Sequence, residues 1–193
     1  MPEPVARTDA ALLASSAGGD EAAFAEFVAR HRAPVHRFVS LLLHDDQRAE
    51  EVLQDTFVHA WRHASAARAE GGARAWLLTI ARNSAARGRR AAAQAPTVSL
   101  AVLGSEAGFA DPGATPMAFA QLVESRAIVH AALAALPPAD REVLVLRELE
   151  QRSGEEVATV LGLSLEAMKS RLHRARLRLV AELRRRLPSG GEA

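Results

Sequence analysis

The sequence predicts an all-α protein built as two small helical domains joined by a flexible linker. Three observations predict this. Apolar residues recur at helical spacing in both halves of the chain, no stretch alternates as a strand would, and a Pro- and Gly-bearing segment without a basic residue separates the halves. The 193 residues leave room for one ordinary domain or two small ones. With 49% hydrophobic and 24% charged residues, a packed core is within reach and global disorder is excluded.

Residues 1–19 carry Pro2, Pro4, Gly18 and Gly19 with little periodicity and read as a loose tail. From Asp20, a plausible N-cap, the stripe Phe24, Phe27, Val28, His31, Val35, Phe38, Val39 and Leu42 marks a helix. Pro34 lacks an amide donor and is expected to kink or split it. A second helix opens after Asp46, with Val52, Leu53, Thr56, Phe57, Ala60 and Trp61 on one side. Residues 63–73 contain Gly71-Gly72 and read as a loop. A third helix begins near Arg74 with Trp76, Leu77, Ile80 and Ala81 as its core side, and Gly88 should weaken its far end. The first domain is therefore placed at 20–91.

Residues 92–122 hold Pro96, Pro112 and Pro116, three glycines, Glu106 and Asp111. This is the expected linker, and its length argues for two domains rather than one. The second domain, 123–187, opens with Ile128, Ala131, Ala132 and Ala135 before the break at Pro137-Pro138. A helix follows from Asp140 to about Glu150. Ser153 and Glu156 form a capping-box pattern, Gly162 is placed to end that helix, and Ser164 caps the last one. Pro188 ends it, leaving 188–193 as a tail.

The chain has 24 Lys+Arg against 23 Asp+Glu, a formal net charge of +1. Split by segment, that sum hides strong asymmetry. The second helix carries Asp45, Asp46, Glu50, Glu51 and Asp55 against Arg48. Arg74, Arg82, Arg87, Arg89 and Arg90 lie between 74 and 90 with no acid among them. Lys169, Arg171, Arg174, Arg176, Arg178 and Arg184 to Arg186 crowd the last helix. Two single-sign basic helices in separate domains point to a polyanion engaged at two places.

Residues 154–176 read as a helix-turn-helix. Val157, Ala158 and Leu161 pack the first helix, Gly162 turns the chain, and Met168, Leu172, Ala175 and Leu179 form the buried stripe of the second. The opposite side carries Glu166, Ser170 and His173, flanked by Ala167, Lys169 and Arg174. That places polar groups on the N-terminal half of a helix able to enter a major groove. Arg171, Arg176 and Arg178 lie nearer the flanks and suit phosphates.

Other chemistries lack their residues. Without cysteine there is no disulfide, thiolate metal site or cysteine nucleophile. His59 and His63 lie one turn apart, but no glutamate follows His59 in the metalloprotease pattern, so they read as surface histidines. The glycine pairs lack the lysine of a phosphate-binding loop. No catalytic residue, metal or cofactor is expected. No apolar run approaches the ~20 residues a membrane helix needs, and the N-terminus makes a poor signal peptide, so a cytoplasmic protein is expected.

Together these segments resemble a bacterial RNA polymerase sigma factor of the extracytoplasmic-function type, over about residues 20–187. Residues 49–61 resemble the sigma region 2 helix that docks on the clamp of the polymerase β′ subunit, which implies Glu51, Gln54 and Asp55 as polymerase contacts. Residues 74–90 resemble the helix facing the −10 element, implying Arg82, Asn83, Arg87, Arg89 and Arg90, with Asn83 best suited to read a base. Residues 136–179 resemble sigma region 4, implying −35 contacts by Glu166, Ala167, Lys169, Ser170, Arg171, His173 and Arg174. The implied partners are core RNA polymerase through its β′ clamp and β flap, promoter DNA, and an anti-sigma factor, with no direct membrane insertion. Two departures stand out. Arg87 and Gly88 occupy positions where the family often has an aspartate and an aromatic, and Glu166-Ala167-Met168 replaces a common Gly-Thr-Val run. Glu166 can accept from a cytosine amino group or complement the helix dipole; the second reading is preferred. The competing reading is a two-domain helix-turn-helix regulator that does not bind core polymerase.

Overall fold

A computed structural model describes residues 7–67, 72–94 and 116–187, and every regular element among them is helical. The first module contains α1 (Asp9–Ala17), α2 (Glu21–Leu43), α3 (Asp46–Arg62) and α4 (Gly72–Gln94). The second contains α5 (Pro116–Ala134), α6 (Pro138–Leu144), a π-helical turn (Val145–Leu149), α7 (Gly154–Leu161) and α8 (Leu165–Arg186).

Part of the expected loose tail is helical. Residues 9–17 form a helix capped by Thr8, whose hydroxyl accepts from the Ala11 amide, and Leu12 and Leu13 are buried. Nine residues show too little periodicity to read in isolation, and the tertiary setting decides. Asp9 meets buried His31 at 2.8 Å, and Arg30 bonds both Asp9 and the Arg7 carbonyl.

Asp20 caps α2 by accepting from Ala23 at 2.9 Å. The expected split at Pro34 is absent: α2 is one helix of 23 residues. Proline removes only the bond to the Arg30 carbonyl, and the burial of Val35, Phe38 and Val39 just beyond it outweighs that loss. The stripe on α3 is buried as expected, except that Trp61 is only partly so. Phe24 packs edge-on against Trp61 with ring centroids 4.9 Å apart. Beyond α3, Ala64–Ala66 form a 3-10 turn inside the expected loop. Gly88 does not shorten α4, which continues to Gln94.

The heart of the expected linker, residues 95–115, lies outside the described residues, as do residues 1–6 and 188–193 of the expected tails. Helix α5 starts at Pro116, inside the segment read as linker. Among its described side chains Ala132 and Leu133 are buried, with Leu136 just beyond; Ile128 is half-buried, and Ala131 and Ala135 are exposed.

Helix α6 departs most from expectation. Asp140 to Leu146 are all buried, including Asp140, Arg141 and Glu142, which on sequence alone suit a solvated first turn. The helix lies against α8 and also touches α2 of the first module, so beyond its exposed first residues, Pro138 and Ala139, no side of it is left to water. Beyond it, the wide turn bonds the Glu150 amide to the Val145 carbonyl at 2.9 Å, and Gln151 takes a left-handed conformation. Such turns re-aim the residues that follow, and here Glu150 is turned fully inward.

The helix-turn-helix follows its local chemistry. The Glu156 amide donates to the Ser153 hydroxyl at 3.1 Å, and the Glu156 carboxylate accepts from the Ser153 amide at 2.8 Å. Gly162 has φ 64°, a conformation that side chains resist, and Ser164 caps α8. A Cβ on Gly154 would lie 3.1 Å from Leu165 and 3.2 Å from Met168, so this glycine lets α7 sit close to α8.

Candidate nucleic-acid interface

Three faces carry the predicted site residues. On α3, Glu51, Gln54 and Asp55 are exposed on the side away from the buried stripe. Glu50 is taken up within the module, 2.7 Å from Arg32 and 3.7 Å from His36. Val58 lies on the same outer side and is 48% exposed, which the sequence reading missed. Its only signal was an apolar residue one turn beyond Gln54 and Asp55, on the polar side of the helix.

On α4 the predicted residues divide into two sets. Asn83, Arg87 and Arg90 are exposed at i, i+4, i+7 spacing, so they share one face. Arg87 also donates to the Ser84 hydroxyl at 2.8 Å. Arg82 and Arg89, seven residues apart, turn instead toward the second module. Arg82 Nε lies 2.7 Å from one oxygen of Glu142, and Arg89 Nη2 lies 2.8 Å from the other.

On α8, Met168, Leu172 and Ala175 are buried, and Glu166, Ala167, Lys169, Ser170, His173 and Arg174 are exposed together on the opposite side. Arg171 is half-buried at the flank. The helix is seated as expected, with its polar N-terminal half outward. Arg176 and Arg178, read from the sequence as suited to phosphates, are each paired within the module. Arg176 bonds Glu148 at 2.5 Å and 3.0 Å, and Arg178 pairs with buried Asp140. Arg185 and Arg186 pair with Glu182 on their own helix. The free positive charge of α8 therefore lies nearer its start than the arginine count suggests.

His59 and His63 stack with ring centroids 4.1 Å apart. Partial burial first, and the neighbouring His63 second, push the His59 pKa below its ordinary value. Among the described residues no group of three His, Asp or Glu is placed to hold a metal ion.

Comparison with known proteins follows the same division. The sigma-70 region 2 family model matches residues 27–94, and the sigma-70 region 4 family model matches residues 126–179. The ECF RNA polymerase sigma factor SigM of Mycobacterium tuberculosis is 33% identical over 175 residues, covering 90% of this chain and 83% of that one. The chain belongs to the extracytoplasmic-function group of the sigma-70 family. RNA polymerase sigma factor CnrH of Cupriavidus metallidurans is 32% identical over 181 residues, covering 91% of this sigma factor and 94% of CnrH.

Solved structures agree. CnrH in complex with the cytosolic domain of CnrY superposes with a TM-score of 0.67 at 31% identity, covering 91% of this sigma factor and 97% of that chain. The sigma factor RpoE in complex with the anti-sigma factor NepR from Bartonella quintana gives 0.63 at 26% identity, covering 83% and 96%. Membership makes this sigma factor a transcription initiation factor, a regulatory protein rather than an enzyme by family. No described helix is long and apolar enough to cross a membrane.

Proposed function

We propose that this sigma factor binds core RNA polymerase through the outer face of α3 and directs it to promoters read at two elements. Glu51, Gln54 and Asp55 meet basic groups of the β′ clamp, with Val58 adding apolar contact. The α4 residues Arg82, Asn83, Arg87, Arg89 and Arg90 serve the −10 element, with Asn83 reading a base and the arginines holding phosphates. The exposed face of α8, from Glu166 to Arg174, enters the major groove of the −35 element, and the second module also meets the β flap. Residues 20–91 and 123–187 act as the two functional units, in the cytoplasm where the polymerase works.

The observation that carries this reading is the seating of α8. Its apolar stripe is buried from Met168 to Ala175, with Leu179 half-buried, and its first three turns present Glu166, Lys169, Ser170, His173 and Arg174 outward together, as a recognition helix requires. The anti-sigma factor held by RpoE in its solved structure supports a partner of that class here as well. Co-purification with core polymerase, followed by transcription from a randomised promoter library, tests the proposal. DNA binding through α8 without polymerase association would favour the competing regulator.

A further inference from the structure

Two buried acidic side chains of the second module, Glu142 and Glu150, find their ion-pair partners among the described residues in the first module. Glu142 places one carboxylate oxygen 2.7 Å from Arg82 and the other 2.8 Å from Arg89, and its side chain is 4% exposed. Glu150, fully buried, takes Arg37 at 2.8 Å on one oxygen and Arg74 at 2.6 Å on the other. All four arginines belong to the first module. Each carboxylate is thus held by two guanidinium groups, as a phosphate would be.

We infer that the free chain is self-inhibited, with Glu142 and Glu150 acting as an intramolecular stand-in for nucleic-acid phosphate on the basic side of the first module. The inference rests on the proposed role of Arg82 and Arg89 toward the −10 element. A guanidinium nitrogen that donates to Glu142 is not free for a phosphate, and α7 of the second module packs against α4. Closure and engagement of this face by nucleic acid are therefore mutually exclusive.

The chemistry of the contact suits a latch that opens. Burying an ion pair costs desolvation that its Coulomb gain roughly offsets, so such pairs fix geometry more than they add stability. Opening leaves no charge stranded, because the arginines pass to phosphate and the glutamates to water. The packing beside the pairs is incomplete: a cleft of about 370 Å³ separates α2 from α5, lined by Leu41, Val129 and Leu149 among others. Nucleic acid, or polymerase holding the modules apart, shifts the balance by binding the open form better.

The test uses the full chain, whose lack of cysteine allows clean labelling. Exposed Val58 and Thr159, one in each module, are changed to cysteine and given a fluorescent donor and acceptor. A single-stranded DNA oligonucleotide of mixed sequence is the probe, with affinity read by anisotropy. In the unmodified sequence background, saturating oligonucleotide should lower energy transfer between the modules; binding with energy transfer unchanged overturns the inference without recourse to any variant. Glu142→Gln/Glu150→Gln, checked for helicity by circular dichroism, should lower energy transfer before DNA is added and tighten oligonucleotide binding about tenfold, within the usual span of coupling between sites. An open variant that binds no tighter, or a folded one that stays closed, overturns the inference. Arg82→Ala/Arg89→Ala in the opened background separates the two levels of the reading. Lost binding supports both. Unchanged binding removes the −10 assignment of these arginines and the inference with it, whereas weakened binding with no gain from opening spares the assignment and overturns the self-inhibition alone.

Discussion

Arg141 Nη1 donates to the Leu42 carbonyl at 2.8 Å, joining the start of α6 to the end of α2 across 99 residues of sequence. The same guanidinium donates to Leu133 at 2.9 Å, Ala134 at 2.7 Å and Leu136 at 3.1 Å. One buried side chain thus satisfies carbonyls that two helix ends leave open, at the ends where the helix dipole favours positive charge.

Arg141→Ala should therefore destabilise the chain strongly. It removes four charge-assisted bonds from one side chain, for a loss of at least about 3 kcal/mol, since one such bond contributes roughly 1.5–3 and bonds sharing a side chain do not simply add. Arg141→Lys should recover only part of this, because an ammonium cannot span the fan of carbonyls. Urea unfolding followed by circular dichroism checks both; wild-type stability in the lysine variant would refute the geometric argument.

Acid should loosen the same junction through His44. This residue ends α2 in a left-handed conformation, and its Nε2 is buried without a hydrogen-bond partner. Burial first, then the charge of Arg141, then His130, lower its pKa to about 4. The unfolded chain binds a proton there near pH 6.5 while the folded chain does not. Stability from this site is therefore full above about pH 6.5 and is lost as pH falls toward about 4. His44→Asn tolerates the left-handed backbone and cannot titrate. Its melting temperature should fall less than the wild type's between those two pH values, and parallel curves would show that His44 is not responsible.

The pattern of what could be read in advance follows the range of the forces. Asp20, Ser153, Ser164 and Gly162 act on backbone groups a few residues away, so their roles are visible in the sequence and recur in the structure. The stripes of α2, α3 and α8 were legible because one helix face carries the whole signal. Asp140, Arg141 and Glu142 were not, because a run of charge is ordinarily solvated and only distant partners explain its burial: Arg178 for Asp140, helix-end carbonyls of both modules for Arg141, and Arg82 and Arg89 for Glu142. Likewise, the arginines of α4 are equivalent as composition. The fold separates Arg87 and Arg90, which face water, from Arg82 and Arg89, which face Glu142. The π-helical turn that turns Glu150 inward has no local sequence cue, since it is selected by what Glu150 meets.

Gly162→Val should cost stability without touching any proposed contact. At φ 64° a β-branched residue is strained, and the left-handed region costs an L-residue about 1–2 kcal/mol. The open space around the glycine means that no steric clash adds to this. A thermal melt reads the loss; Gly162→Asn should retain most of the stability, and equal losses in the two variants would argue against backbone strain as the cause.

Asp55→Arg should leave folding intact, because the side chain is exposed on α3. On the proposed clamp contact it should nevertheless abolish association with core polymerase, since it replaces a carboxylate by a cation where basic groups are proposed to dock. Circular dichroism and gel filtration with core enzyme read the two effects separately. Normal holoenzyme assembly would move the polymerase contact elsewhere on the chain.

Arg174 and Arg176 make a matched pair for testing how α8 meets DNA. Both are exposed and two residues apart. Arg176 is held by Glu148, whereas Arg174 has no ion pair among the described residues. A phosphate contact releases counterions, so losing one lowers the slope of log affinity against log salt by about 1. Arg174→Ala should show that change on a −35-containing duplex selected with the holoenzyme, with weakening that is uniform across sequences. Arg176→Ala should change the slope far less, because its charge is already balanced within the module, and should chiefly free Glu148. Were Arg176 to carry the larger slope change, its pairing with Glu148 would have to break on DNA, and the recognition face would extend a turn further along α8. A loss of sequence preference at constant slope would instead make Arg174 a reader of bases, reaching an edge in the groove rather than the backbone.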